Sequence, residues 1–498
     1  MTDTHRTAPL AMDGDLFREL GHDLVERIAG FLDGIGDAPV TAGATPTEIR
    51  ELIRADAPMP REGRDAGELL AQSSEWLFRH SLHNGHPRFM GYITSSAAPI
   101  GMLADMLAAS VNPNVGAWVL SPVATELEAQ TVRWIAELLR YPTEAGGLMV
   151  SGGNMANMTC FWAARAAAGE GIRATGRTDD GRPLVVLASA ETHTWLQKAT
   201  DLAGLGTDAI RWVPTDAALR MDPAALAAAL DEEVAAGRKP MMVVASGGSV
   251  STGAVDPLRE IAAICRTRGV WFHVDGAYGA FAAMLPDAPE DLHHLALADS
   301  VAVDPHKWLY APLEAGCALV RDPERLRAAF SYHPPYYHFG VQANNYVDFG
   351  PQNSRGFRAL KVWLALQQAG REGYERMIGD DCRLAALLHD QVRAHPEMEE
   401  GNQDLSITTF RYVPASLRSE VGSPATETYL NDLNKEIQAR LERDGEAFVS
   451  NAVVRGRYLL RACVVNFRTD EADMRALPEI VARVGARAHA AMGGPKKV

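Results

Sequence analysis

Six short, nearly uninterrupted apolar runs in the middle of the chain restrict what it can fold into. They cover residues 148–150, 184–187, 241–245, 270–274, 300–303 and 317–320, each is bounded by turn residues, and most are separated by helical patterns. A strand with one wet face alternates apolar and polar residues. A strand that does not alternate is covered on both faces, the signature of a mostly parallel sheet with helices on each side. The clearest intervening helix spans 222–237, with Asp222 as N-cap, Pro223 in the first turn, an Ala/Leu body and Gly237 at its end. A second spans 257–268. The expected class is therefore α/β.

Around this core the pattern changes. Residues 16–32 repeat apolar side chains at helical spacing, and Thr45-Pro46 reads as a cap followed by a first-turn proline. We expect an N-terminal helical segment over residues 1–85, a large domain over 86–378 and a small C-terminal α+β domain over 379–498. A long helix from residue 358 closes the large domain. The small one holds strand-like residues 405–412 and 447–466 and a charged helix near 430–443.

Composition removes several alternatives. With 48 Lys+Arg against 63 Asp+Glu the formal charge is −15, which suits neither a nucleic-acid-binding surface nor an anionic membrane surface. The 20-residue stretches without charge, 106–125 and 145–164, carry Asn, Pro or repeated Gly and do not read as membrane spans. The N-terminus shows no apolar signal-peptide core. There are five cysteines with no CxxC, and the closest two, Cys265 and Cys317, are 52 positions apart. Neither a disulfide framework nor a metal cluster is expected, and a reducing cytoplasm is the natural setting.

In a parallel sheet, ligands bind beyond the carboxyl ends of the strands. The unusual residues fall there: Ser151-Gly152-Gly153-Asn154 after the first run, Glu191-Thr192-His193 after the second, and Ser246-Gly247-Gly248-Ser249 after the third. Asp275 follows the fourth, and Asp304-Pro305-His306-Lys307-Trp308 the fifth. Each has a plain reading alone: a glycine turn, a surface histidine, a helix cap, a solvated lysine. Together they supply an anion cradle at a helix N-terminus, a flat ring, a carboxylate and an amine. Those are the needs of pyridoxal phosphate, whose phosphate takes N–H donors, whose aldehyde takes a lysine and whose ring nitrogen takes a carboxylate. Neither GxGxxG nor a P-loop is present, so a nucleotide-dependent dehydrogenase is not indicated.

Residues 300–309 (SVAVDPHKWL), with 271–281 (WFHVDGAYGAF) upstream, resemble the pyridoxal-phosphate-dependent group II amino acid decarboxylases, as do 151–157, 191–199, 249–256, 356–364 and 461–469. The likeness runs from about residue 87 to 469 and implies the fold type I architecture and a homodimer with its site at the subunit interface. It implies that Lys307 forms the imine with the cofactor, that Asp275 pairs with the ring nitrogen, and that Ala277 and His193 lie against the ring's two faces. Gly153, Asn154 and Asp304 would hold the phosphate, with Ser249 near ring or phosphate and His306 beside the imine. Tyr346, in the Tyr/His-rich stretch 330–349, falls where the family carries a proton-donating loop tyrosine; Tyr332, Tyr336 and Tyr337 compete for that role. Two departures are Gly276, where the family often has Ala, and Asn154, where Ser or Thr is common.

The expected activity is decarboxylation of an L-amino acid to its amine. Phe89, Tyr92, Ile93 and Trp118 would line the substrate side chain, which favours an aromatic amino acid. Gly116 weakens that case, because aromatic-specific members tend to carry a bulky ring about there. A glutamate-type decarboxylase, or a lyase or aminotransferase of the same fold, is the alternative.

Overall fold

The computed structural model describes residues 8–332 and 343–494. Its strands are β1 (Phe89–Met90), β2 (Gly146–Val150), β3 (Leu184–Ser189), β4 (Ile210–Val213), β5 (Lys239–Ser246), β6 (Trp271–Asp275), β7 (Ser300–Val303), β8 (Gly316–Val320), β9 (Met398–Asp404), β10 (Ile407–Tyr412), β11 (Phe448–Val454) and β12 (Arg457–Cys463). Seven of them form the central sheet in the order β2-β8-β7-β6-β5-β3-β4. All run parallel except β8, which pairs antiparallel with both β2 and β7. The reason for β8 is the short link after β7, which holds only the small helix Pro305–Trp308 and a turn, too little for a crossover.

Each of the six apolar runs lies in this sheet, save Val270 just before β6, and β2, β3, β7 and β8 are buried at every position because helices cover both faces. The edge strand β4 escaped the sequence reading. It pairs only with β3 and exposes Arg211 and Trp212, so it has no apolar run to detect. The helices follow their caps. Asp222 accepts from the N–H groups of Ala224 and Ala225 and opens Pro223–Ala235, and Leu258–Arg268 ends at Gly269 with φ 64°.

The second sheet has the order β1-β11-β12-β10-β9 and is mainly antiparallel. Two features run across the expected domain limits. β1 pairs parallel with β11, placing Phe89 opposite Phe448 in the small sheet. The helical run Ala359–Ala394, redirected at Gly370 (φ 65°), passes through residues 378 and 379. Up to Ile378 it packs Val362, Leu366 and Ile378 into the central core, and beyond it packs Leu384, Leu388 and Val392 into the core of the small sheet. One helix thus ties two cores together. Among the described residues no helix is long and apolar enough to cross a membrane.

Candidate active site

A cavity of about 480 Å³ opens beyond the carboxyl ends of β2, β3, β5, β6 and β7. Gly153, Asn154, His193, Ser249, Asp275, Ala277, Asp304, His306 and Lys307 all border it. The doubly wound sheet does this: each strand ends at the same edge, so residues up to about 150 positions apart converge on one hollow.

Lys307 lies in the turn Pro305–Trp308, and its Nζ is 3.2 Å from Asp304 Oδ2. Asp304 is therefore the counter-ion of Lys307, while its Oδ1 is buried without a hydrogen-bond partner. An ionised carboxylate offers no donor, so Asp304 does not suit the direct phosphate contact expected of it. His306 Nδ1 donates to Ala315 O at 2.8 Å, and burial lowers its pKa against the opposing pull of Asp304.

Asp275 ends β6. Its Oδ2 accepts from Trp195 Nε1 at 2.7 Å and its Oδ1 from Ala277 N at 3.2 Å. Two donors hold this carboxylate in the cavity wall. The Trp195 N–H donates to His193 Nδ1 at 3.2 Å, and partial burial lowers the His193 pKa, which Asp275 counteracts. A neutral imidazole therefore borders the cavity. Trp195 is fully buried and serves both residues; it lies inside the motif 191–199, yet an indole there reads from sequence as ordinary core.

Trp271, His273 and Asp275 share one face of β6 by strand periodicity. Trp271 Nε1 donates to Ser300 Oγ at 2.8 Å, Ser300 Oγ bonds His273 Nδ1 at 2.8 Å, and His273 Nε2 bonds Asn157 Oδ1 at 2.7 Å on the cavity wall. Full burial holds the His273 pKa down to about 4 from 6.5. The unfolded chain therefore binds an extra proton between those values, so this group contributes stability that is present above about pH 6.5 and lost as pH falls toward 4. The loss is on the order of 3 kcal/mol. Urea unfolding at pH about 7.5 and about 5 should show a smaller pH penalty in His273→Gln than in the parent; equal penalties would refute the assignment.

Gly152 (φ 131°) opens the helix Gly153–Ala167, and no side chain caps it. Its first N–H groups are left for a ligand. A Cβ on Gly153 would come within 2.5 Å of Asp304 Oδ2, so the close approach requires glycine. The same holds for Gly316 at the start of β8, whose Cβ would lie 2.5 Å from the Gly152 backbone. Gly316 carries no signal in the sequence, because its close neighbour lies 164 positions away. Uncapped donors, a fixed carboxylate, a flat ring and an amine on one hollow fit pyridoxal phosphate.

Several of the expected site residues lie away from this cavity. Tyr346 does not border the cavity. It is 1% exposed, its ring lies 4.6 Å from the Arg355 guanidinium and edge-on to Phe349, and it packs with Val115, Leu148 and Val150. Arg355 is itself clamped to buried Glu128 at 2.5 Å, so the ring belongs to a closed core. Tyr332 is 67% exposed under Arg173, and Tyr336 and Tyr337 lie outside the described residues. None of Phe89, Tyr92, Ile93 and Trp118 borders the cavity. Phe89 stacks on Phe448 in the small sheet, Tyr92 is 56% exposed, Ile93 packs on the central core, and Trp118 Nε1 donates to Glu126. A Cβ on Gly116 would be 2.2 Å from Asn353 O, so backbone packing leaves no room for a side chain at this position.

Residues 46–412 match the family model described as the pyridoxal-dependent decarboxylase conserved domain. An aromatic-L-amino-acid decarboxylase from Bacillus atrophaeus is 31% identical over 470 residues, covering 93% of this chain and 94% of that protein. A phenylacetaldehyde synthase from Petunia hybrida is 30% identical over 466 residues, covering 91% of each. Among solved structures, an Oryza sativa TDC with PLP and tryptamine superposes with a TM-score of 0.88 at 28% identity, covering 97% of this chain and 99% of that one.

Proposed function

Because the chain belongs to the pyridoxal-dependent decarboxylase family, we propose that it removes the carboxyl group of an aromatic L-amino acid and releases the amine. Its cofactor is pyridoxal phosphate and its reaction class is carboxy-lyase. The observation that carries the reading is the convergence of Lys307, Asp275, His193 and the uncapped Gly153 helix on one cavity.

Bound pyridoxal phosphate supplies an aldehyde that takes up an amine and a cationic ring that accepts the electron pair left when carbon dioxide departs. The protein's share is orientation and electrostatics. The N–H groups opening Gly153–Ala167, with Asn154, bind the phosphate. Asp275, fixed by Trp195 and Ala277, would pair with the protonated ring nitrogen and so keep the ring cationic. His193 and Ala277, both on the cavity wall, would lie against the ring, and Asp304 pairs with the Lys307 amine at the cavity. The proton donor to the substrate carbon is sought in Tyr336 and Tyr337, now that Tyr346 is accounted for by the core.

A neutral side chain is supported by the lining itself. Lys307 is the only lysine or arginine among the described residues on the cavity, and Met155, Met158 and Tyr278 add apolar surface. An acidic substrate side chain would lack a counter-ion there. A second reading, aldehyde formation, is favoured by the phenylacetaldehyde synthase relative. A panel of amino acids incubated with the cofactor, scored for carbon dioxide, amine and aldehyde, separates these. Amine and carbon dioxide from aromatic members, without a keto acid, are expected. Turnover of glutamate alone would overturn the substrate class, aldehyde in place of amine would establish the second reading, and keto-acid-dependent turnover would indicate an aminotransferase.

The reading includes a homodimer in a reducing cytoplasm. Helices Gly14–Gly34 and Pro46–Leu52 bury no residue, and Phe17, Leu77, Leu103, Met106, Leu107 and Val111 are exposed, a surface suited to a second copy. All five cysteines are unpaired. Sedimentation as a single chain at micromolar concentration would overturn the dimer.

A further inference from the structure

The turn bearing Lys307 is clamped from behind by a carboxylate that the reaction above does not use. Asp381, in the second half of Ala359–Ala394, is 2% exposed and forms no ion pair among the described residues. Its Oδ2 accepts from Trp308 Nε1 at 2.8 Å and from Tyr310 Oη at 2.6 Å. These donors stand one and three positions beyond Lys307. Burial without a cation pushes the Asp381 carboxyl up to about 7, with Asp380 on the same helix adding to the rise.

A buried acid without a cation is costly, so a position that keeps one needs a return. Tyr310 supplies the reason. Its φ is 52°, in the left-handed region that a bulky side chain rarely enters, and such a conformation persists only where its surroundings over-determine it. Besides Asp381, Tyr374 stacks on the Tyr310 ring at 6.4 Å and donates its Oη to Leu309 O at 3.1 Å, and Phe467 meets the ring edge-on at 5.5 Å. Trp308 is fixed on its other side by Tyr278, stacked at 4.9 Å, which borders the cavity and bonds Ser406 beside β10.

We propose that Asp381 is a positioning residue for Lys307: by holding Trp308 and Tyr310 together it fixes the strained turn that aims the lysine into the cavity. The inference rests on the reading of Lys307 as the lysine that binds the cofactor. It makes the long helix and the small domain part of the lysine's setting, since Asp381 lies where that helix passes from one core to the other.

The test uses the cofactor-loaded enzyme with Asp381→Asn, Tyr310→Phe and Trp308→Phe, reading kcat, KM and the pH titration of the lysine-bound cofactor's visible band. A displaced lysine should lower kcat about 10- to 100-fold with a smaller change in KM, and should move the titration midpoint. Tyr310→Phe and Trp308→Phe should each give part of the Asp381→Asn effect and add little to it in combination. Unchanged titration and a kcat within about twofold of the parent in folded Asp381→Asn would overturn the proposal. Should that variant fail to fold, the same result in both Tyr310→Phe and Trp308→Phe overturns it. Lys307→Ala, measured alongside, separates the two readings. A band retained there sinks the reading of Lys307 itself, whereas its loss with parent-like Asp381 variants sinks only the positioning role.

Discussion

Lys307→Ala is expected to abolish the visible band of the lysine-bound cofactor and to lower carbon dioxide release by on the order of 10³-fold or more. Alanine has no amine to join the aldehyde, and among the described residues no other lysine borders the cavity. The substitution also removes the 3.2 Å ion pair with Asp304, leaving a carboxylate that is 3% exposed without its cation. Lys307→Arg separates the effects. It restores a cation beside Asp304 but forms no stable imine, so it should fold at least as well as the alanine variant and still lack the band. A retained band in either variant would show that another amine holds the cofactor and would remove the centre of the proposed mechanism.

Asp275→Asn should give a different failure. The lysine is untouched, so the band should persist, while kcat falls by about 10²–10³. The carboxylate has two acceptors facing two N–H donors, Trp195 Nε1 and Ala277 N. An amide has one oxygen, so one donor loses its partner and meets another N–H, and no negative charge remains to hold a proton on the ring nitrogen. Asp275→Glu restores the charge with a longer reach and should recover part of the loss. Full activity in Asp275→Asn would mean that the ring needs no anionic partner here, and electron withdrawal would have to come from elsewhere.

The central sheet was legible because burial on both faces writes itself into each strand as an unbroken apolar run. That signal fades where burial does: β4 at one edge and β9 (MEEGNQD) in the small sheet carry polar residues and were invisible. Site residues were legible where a fixed offset from a strand end governs them, as with Asp275 at the end of β6 and Lys307 four residues after β7. Tyr346 was misplaced because an aromatic residue in an irregular segment reads the same in a lid or in a core. Its fate rests on Arg355 and Glu128, which are 227 positions apart in sequence. The setting of Phe89 was hidden for a like reason, since its neighbour Phe448 belongs to a strand at the far end of the chain.

By itself, the amino-acid order determined the layered α/β core, the amine and acid that meet at one sheet edge, and the cofactor they suit, because periodicity and strand-end position are local and survive in one dimension. Only the tertiary structure decided that Trp195 anchors Asp275, that Gly316 must make room for Gly152, that Asp381 grips the lysine turn, and that Tyr346 is core. Those outcomes depend on which distant side chains share a volume and on which buried donors find an acceptor. Residue type alone does not encode either.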